Sequence, residues 1–239
     1  MSYITRLELS LIIPTYNERE NIESILHLLV HALEGRRYEI IVVDDDSTDR
    51  TWELVEMLSS RTPAIRLERR QGKKRDLALS IMEGFDLAQG DILGCIDADG
   101  SHPPEAISQL LERCEDGVEM VVGSRYIAGA SISGWPLSRH ALSRAGTIVT
   151  RFLLRLPIRD PLSGFFVLRR NVYERARNVA KPRGFKVLLE LYVRGHPSSV
   201  MEVPIHFDNR RVGTSKLSAK VLYQGVAGVI SLMMARLTA

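Results

Sequence analysis

The stretch DILGCIDADGSHPPE, residues 91–105, decides how the rest of the chain is read. An apolar run from Ile92 to Ile96 stops at two carboxylates one residue apart, Asp97 and Asp99. A polar turn and two prolines follow, then Ile107, Leu110, Leu111 and Cys114 at helical spacing. A short continuous apolar run bounded by turn residues reads as a strand buried on both faces. Pro103 and Pro104 suit the first turn of a helix, where a missing N–H is no loss. The unit is strand, acidic turn, helix.

The same unit recurs upstream. LSLIIP (residues 9–14) reads as a buried strand, and Asn17 and Glu20 after it have the spacing of a capping box. Ile22, Ile25, Leu26, Leu29 and Leu33 then predict a helix. YEIIVVD (residues 38–44) is a second strand, with a turn and helix in DDSTDRTWELVEML. AIRLERR (residues 64–70) is a third strand, after which Asp76 can cap a helix burying Leu77, Ile81, Phe85 and Ala88. DILGCID is the fourth strand and VEMVVGS the fifth. Such alternation predicts an α/β fold with a mostly parallel central sheet and helices on both faces. Ligands of such sheets bind beyond the carboxyl ends of the strands. Those ends are Pro14-Thr15-Tyr16, Asp44-Asp45-Asp46, Asp97-Ala98-Asp99 and Ser124-Arg125.

Downstream the pattern loosens. PLSRHALSRAGTIVTRFLLRLP predicts a helix with Leu142, Val149, Phe152, Leu153 and Leu156 on one side. SGFFVLRR and SVMEVPIHF read as strands, with a helix over residues 186–193 between them.

Asp97 and Asp99 share one side of the chain if it is extended there. Two like charges this close repel, and a bound divalent cation removes the conflict. Hard oxygen ligands suit Mg²⁺ or Mn²⁺, and Mg²⁺ commonly shares its shell with substrate phosphates. An Asx turn, with Ser101 capping the next helix, accounts for the same residues without a metal. His102 reads as a turn residue. Three consecutive acids, Asp44 to Asp46, exceed what capping a helix requires.

Among 239 residues the net charge is only +3, which by itself is no argument for nucleic acid, and none is expected as a partner. The charge is uneven, however. Residues 120–173 hold eight arginines, one acid (Asp160) and no lysine, a segment that attracts phosphates or an acidic membrane surface. Cys95 and Cys114 lie in apolar surroundings and read as buried free thiols of a reducing compartment. The first fourteen residues contain no long apolar core of a signal peptide.

Taken together, IIPTYNERENI, IIVVDDDSTDRT, DADGSHPPE, VVGSRY, GWPLSRHALSRAGT, DPLSGFF and RRVGTSKL resemble family 2 glycosyltransferases of the GT-A fold. Within that family they are similar to the dolichol-phosphate mannose synthases and related polyprenyl-phosphate glycosyltransferases. The pieces occur in family order over residues 9 to about 217. The resemblance implies nucleotide-sugar binding by Pro14, Tyr16, Glu18, Val43 and Asp45. It implies contacts from Asp97, Ala98 and Asp99 to nucleotide sugar and metal, with Ser101 completing the metal shell. Arg125, Arg210 and Lys216 match positions that contact donor or acceptor phosphates, and Arg139 matches a basic acceptor-side position. The sequence departs from the family at Gly100, where a larger apolar residue is usual, at Phe166, and in KKRDLALS, where a Gly-Leu-rich segment is usual.

The activity so implied is inverting transfer of mannose from GDP-mannose to a polyprenyl (dolichyl) phosphate. A phosphate nucleophile is already anionic and needs little help from a base, in keeping with a sequence that offers no obvious Asp–His dyad. A UDP-sugar-dependent hexosyltransferase acting on the same lipid class is the nearest alternative. A non-catalytic nucleotide-sugar-binding module is a further one. Transfer to a sugar hydroxyl is disfavoured, because neither Trp52 nor Trp135 follows an arginine as a Q-x-x-R-W motif requires.

Residues 221–235 carry no charge, yet a spanning helix needs about 20 apolar residues. The expected division is a catalytic domain over residues 1–216 and a C-terminal apolar helix over residues 217–239. That helix lies on a membrane surface or belongs to a truncated anchor. The helix over residues 137–156 is expected to offer apolar side chains to the lipid, with Arg139 and Arg144 near its phosphate. The implied location is peripheral, on the cytoplasmic face of a membrane.

Overall fold

The computed structural model describes residues 7–181, 184, 186–209 and 232–233. Strands and helices alternate as the apolar pattern predicts: β1 (Leu9–Thr15), α1 (Ile22–Ala32), β2 (Tyr38–Asp44), α2 (Thr51–Arg61), β3 (Ile65–Arg69), α3 (Leu77–Leu87), β4 (Ile92–Cys95), α4 (Ile107–Glu115) and β5 (Met120–Ser124). A single 3-10 turn at Pro104–Ala106 leads into α4. Then follow β6 (Ser131–Ile132), α5 (Leu137–Leu154), β7 (Phe166–Arg169), α6 (Arg170–Ala176), α7 (Val187–Gly195), β8 (Val200–Pro204) and β9 (His206–Phe207).

Seven strands form one sheet in the order β3-β2-β1-β4-β7-β5-β8. All neighbours pair in parallel except β7, which runs antiparallel between β4 and β5. Strand alternation explains the two cores. Leu9, Leu11, Ile13, Ile40 and Val42 face α1, α2 and α4, while Ile12, Ile41 and Val43 face α3, α6 and α7. This two-sided burial is why the strands read as continuous apolar runs. It is the mostly parallel sheet, covered on both faces, that the apolar pattern predicts.

Several local expectations are corrected. The capping box at Asn17 and Glu20 does not form. Asn17 takes a left-handed backbone (φ 58°), and its side-chain oxygen accepts from the backbone N–H groups of Thr48 and Asp49, tying the loop after β1 to the loop after β2. Asp76 does cap α3, accepting from the Ala78 N–H at 2.9 Å. SVMEVPIHF is two strands in two sheets, because the chain leaves β8 at Ile205 and pairs β9 with β6. The helix predicted to reach Leu156 ends at Leu154, and Arg155 is left-handed.

Among the described residues no helix is long and apolar enough to cross a membrane. The expected tail helix, and with it the domain boundary after residue 216, lies outside the described residues apart from Leu232 and Met233. Leu232 is buried against Leu154, Leu156, Ile158, Leu189 and Val193. Cys95 and Cys114 are buried free thiols.

Candidate active site

Strands β2 and β3 lie on one side of β1, and β4 lies on the other, so the strand order reverses beside β1. Open α/β sheets bind ligands at such a reversal, because the loops part there and leave a crevice. A cleft of about 430 Å³ opens at this point. Its walls include Pro14, Tyr16 and Glu18 after β1, Asp45 after β2, and Asp97, Ala98 and Asp99 after β4. Seven residues singled out from the sequence thus meet in one cavity. Val43 does not join them, since its side chain is fully buried in the core under α3.

The three acids after β2 have different duties. Asp44 is committed to the turn, accepting from the Ser47 N–H at 2.8 Å, the Ser47 hydroxyl at 2.6 Å and the Thr15 hydroxyl at 3.0 Å. Asp46 pairs with Arg69 at 3.0 Å. Asp45 alone lines the cleft, buried against the Arg70 guanidinium and accepting from the Asp76 N–H at 2.9 Å. Burial pushes its carboxyl above the ordinary value, while Arg70 and that N–H pull the other way.

After Cys95 the chain leaves the sheet and turns through Ala98 and Asp99. Both carboxylates of the pair line the same cleft, by way of this turn and not by strand alternation. Asp99 accepts from the Ser101 N–H at 3.1 Å and from the Ser101 hydroxyl, forming the Asx turn. Gly100 sits at φ 73°, a conformation that a larger apolar residue adopts only with strain. Ser101 caps no helix, and its hydroxyl serves Asp99.

Among the described residues no group of three or more His, Cys, Asp and Glu side chains could hold a metal unaided. The donor set of Asp97, Asp99 and Ser101 still fits a hard divalent cation that draws the rest of its shell from phosphate oxygens. His102 adds an unexpected neighbour. Its ring is buried, with Nδ1 3.6 Å from Asp97 Oδ2, and it packs edge-on against Phe165 and Phe207. Burial lowers its pKa to about 4, against the pull of the Asp99 charge. An Asp–His pair therefore exists, contrary to the sequence reading, but a ring so enclosed is shielded from an acceptor and is no general base.

A second cavity, of about 450 Å³, lies between the end of β5 and the start of α5, with Arg125, Tyr126, Leu137, His140 and Arg144 in its wall. Arg125 is not a free phosphate clamp. Its guanidinium donates to both oxygens of the buried Asp160, at 2.7 and 2.8 Å, and its backbone N–H donates to the same carboxylate at 3.0 Å. Burial opposes the Arg125 charge, but the Asp160 hydrogen bonds and charge outweigh it and raise the pKa. Arg139 lies over the Trp135 ring at 4.1 Å and does not line this cavity. Arg210 and Lys216 lie outside the described residues.

Sequence reasoning missed Arg75, Leu77, Ser80 and Gly184 as cleft residues and Asp76 as more than a cap. The Arg75 guanidinium covers the Tyr16 ring at 4.6 Å. The signal available was KKRDLALS, the segment that departs from the family resemblance.

The family model described as Glycosyl transferase family 2 matches residues 10–177. The chain is 42% identical over 229 residues to a dolichol-phosphate mannosyltransferase of Pyrococcus furiosus, covering 95% of this chain. It spans 64% of that relative's length. It is 38% identical over 213 residues to a polyprenol monophosphomannose synthase of Mycolicibacterium smegmatis, covering 87% of this chain and 80% of the relative. A solved glucosyl-3-phosphoglycerate synthase from Mycobacterium tuberculosis, in complex with Mn²⁺, UDP-glucose and phosphoglyceric acid, superposes with a TM-score of 0.68 at 20% identity. The match covers 97% of this chain and 80% of that one, a likeness of fold.

Proposed function

The chain belongs to glycosyl transferase family 2, and from that premise we propose that it moves mannose from GDP-mannose to the phosphate of a polyprenyl (dolichyl) phosphate, with inversion at the anomeric carbon. The observation that carries this reading is its 38–42% identity to two enzymes named for mannose transfer to polyprenol or dolichol phosphate. The two cavities support it, since one is built from acids at the sheet mouth and the other from arginines beside an apolar helix.

In this reading the donor nucleotide lies in the cleft along Pro14, Tyr16, Glu18 and Asp45, beside Arg75 against the Tyr16 ring and Asp76 against Asp45. Asp97 and Asp99, with Ser101, hold a divalent cation, Mg²⁺ or Mn²⁺. When bound, that ion supplies a Lewis acid that neutralises charge developing on the leaving diphosphate. The acceptor phosphate enters on the side of Arg144 and His140. Arg125 acts through its arginine–carboxylate pair with Asp160, which neutralises its charge and fixes the shape of this wall, so the positive charge offered to the phosphate there is that of Arg144. Arg139, Arg210 and Lys216 are assigned to phosphate handling. The exposed apolar side chains of α5, among arginines, lie against the cytoplasmic face of a membrane, where the acceptor's tail is buried.

The test is to supply the protein with polyprenyl phosphate and a panel of radiolabelled nucleotide sugars. Label should enter the lipid phase from GDP-mannose and not from UDP-hexoses, and the free polyprenol should be inert. Equal labelling of the free alcohol points to a base-assisted hydroxyl transferase and overturns the reading. No turnover of any donor leaves a binding module in its place.

A further inference from the structure

The site above accounts for Asp97 but leaves two of its neighbours unexplained. The first is His102. Its side chain is only 2% exposed, and among the described residues neither ring nitrogen has a hydrogen-bond partner. An imidazole N–H buried without an acceptor is unfavourable, so its placement calls for a reason. Nδ1 points toward Asp97 Oδ2 from 3.6 Å, just beyond hydrogen-bond range. A movement of roughly 0.7 Å closes it to the ordinary N–H···O distance of about 2.9 Å.

The second neighbour is Gly164. A Cβ built there would lie 2.5 Å from Asp97 Oδ2 and 2.9 Å from both Oδ1 and Cγ. Only a residue without a side chain lets the backbone meet the carboxylate this closely. Gly164 also belongs to the loop that fixes the imidazole, because the next residue, Phe165, packs on the His102 ring at 5.7 Å between centroids. Phe207 closes the other side at 4.9 Å. The loop itself is anchored: Ser163 donates its hydroxyl to the Gly123 carbonyl at 2.7 Å, and the Gly123 N–H donates to the Phe165 carbonyl at 2.8 Å.

We propose that His102 is a positioning residue for Asp97: its Nδ1–H closes onto the Asp97 carboxylate when that carboxylate takes up a divalent cation, while Gly164 is the side-chain-free wall that sets how far the carboxylate can swing. The inference rests on the proposed metal role of Asp97 and Asp99. Groups one step removed from a metal ligand orient it and raise its basicity, and losing one commonly costs about 10- to 100-fold in metal affinity. The same loop carries Asp160, so one short segment sets both the metal-binding carboxylate and Arg125.

The test measures Mn²⁺ binding by the electron paramagnetic resonance signal of the free ion, on the whole chain, with Mn²⁺ alone and with Mn²⁺ plus GDP. His102→Phe keeps an aromatic ring and loses both nitrogens, and it should weaken Mn²⁺ binding about 10-fold or more. His102→Asn places an N–H donor near the Nδ1 position and should recover most of the loss. His102→Gln places its donor near Nε2 and should not. Gly164→Ala should weaken binding in the same way. Wild-type Mn²⁺ affinity in His102→Phe, beside a loss in Asp97→Asn, overturns the role of His102 and leaves the metal site standing. Should His102→Phe fail to fold, the Asn and Gln variants decide, and equal affinities in those two overturn the proposal. Unchanged Mn²⁺ binding in Asp97→Asn removes the metal reading and this inference with it.

Discussion

Helices α4 and α5 each carry an apolar stripe, and the two stripes meet opposite surroundings. In α4, Ile107, Leu110, Leu111 and Cys114 are all 0% exposed. In α5, Leu137 is 88% exposed and Phe152 82%, with Leu142, Ile148 and Val149 each more than half exposed. What α5 turns inward is Thr147, Thr150 and Leu154. Helix α4 connects β4 to β5 on one face of the sheet, so its stripe has a fixed destination in the core. Helix α5 follows β6, which belongs to the separate two-stranded sheet, and is under no such constraint. Apolar periodicity states which residues share a face and not what that face will meet. The outward face of α5, apolar and interspersed with arginines, is the one that the proposed function assigns to a membrane surface.

The largest effect should fall where the buried half ends, at the acid pair before α4. Asp99→Asn is expected to lower sugar transfer roughly 10²- to 10³-fold, the range seen when a group stabilising transition-state charge is removed, while cooperative unfolding persists. Transfer to polyprenyl phosphate, measured with and without a chelator, checks it, and an undiminished rate in chelator would falsify the metal role.

The next effect compares the helices directly. Leu111→Ala in α4 should cost about 2–5 kcal/mol, through lost burial and a cavity. Phe152→Ser in α5 should stay within about 0.5 kcal/mol, as exposed substitutions do. Urea titrations of both variants measure the gap, and equal losses would mean that α5 is part of the folded core.

A smaller effect sharpens the comparison from the other side. The chain should sediment with vesicles containing anionic lipid, less so in Phe152→Ser and Leu137→Ser, and less at high salt, where screening shortens to a few ångströms. Each arginine near the surface, Arg144 for example, contributes about 1 kcal/mol to such binding. A wild-type chain that ignores the vesicles at low salt ends the membrane reading of α5.

The smallest effect concerns the core thiols. Burial pushes Cys114 up to about 12, and Cys95 well above its ordinary value. Both should resist iodoacetamide at pH 8 until the protein is unfolded, as only the thiolate reacts. A folded pKa above the unfolded one gives stability that is complete below the unfolded value. It is then lost as pH rises from 9.0 toward about 12 for Cys114. A melting temperature that climbs through that window contradicts the assignment.

Much of the site was legible because it rests on short-range rules. Apolar runs bounded by turn residues marked β1, β2, β4 and β5, and the acids and aromatics just beyond them could be named before any coordinates. Asp76 announced its cap by standing before a run of helical period. The misreadings share a different cause. Asn17 and Glu20 have capping-box spacing, but Asn17 is drawn to Thr48 in the loop after β2, 31 residues on in the chain. Arg125 stands at a strand end like a ligand-binding residue, and only the approach of Asp160 commits its fork. His102 resembles any turn histidine until Phe165 and Phe207 enclose it.

By itself the sequence determined the alternation of elements, the two-faced burial of the strands and the clustering of acids at their carboxyl ends, because side-chain periodicity and turn chemistry act over a few residues. Tertiary structure alone decided that β7 enters antiparallel between β4 and β5, that Arg75 and Asp76 wall the cleft, and that Gly164 and His102 flank Asp97. Those contacts join segments tens of residues apart. Their partners are selected by the packing of the whole sheet and its helices, which no local pattern encodes.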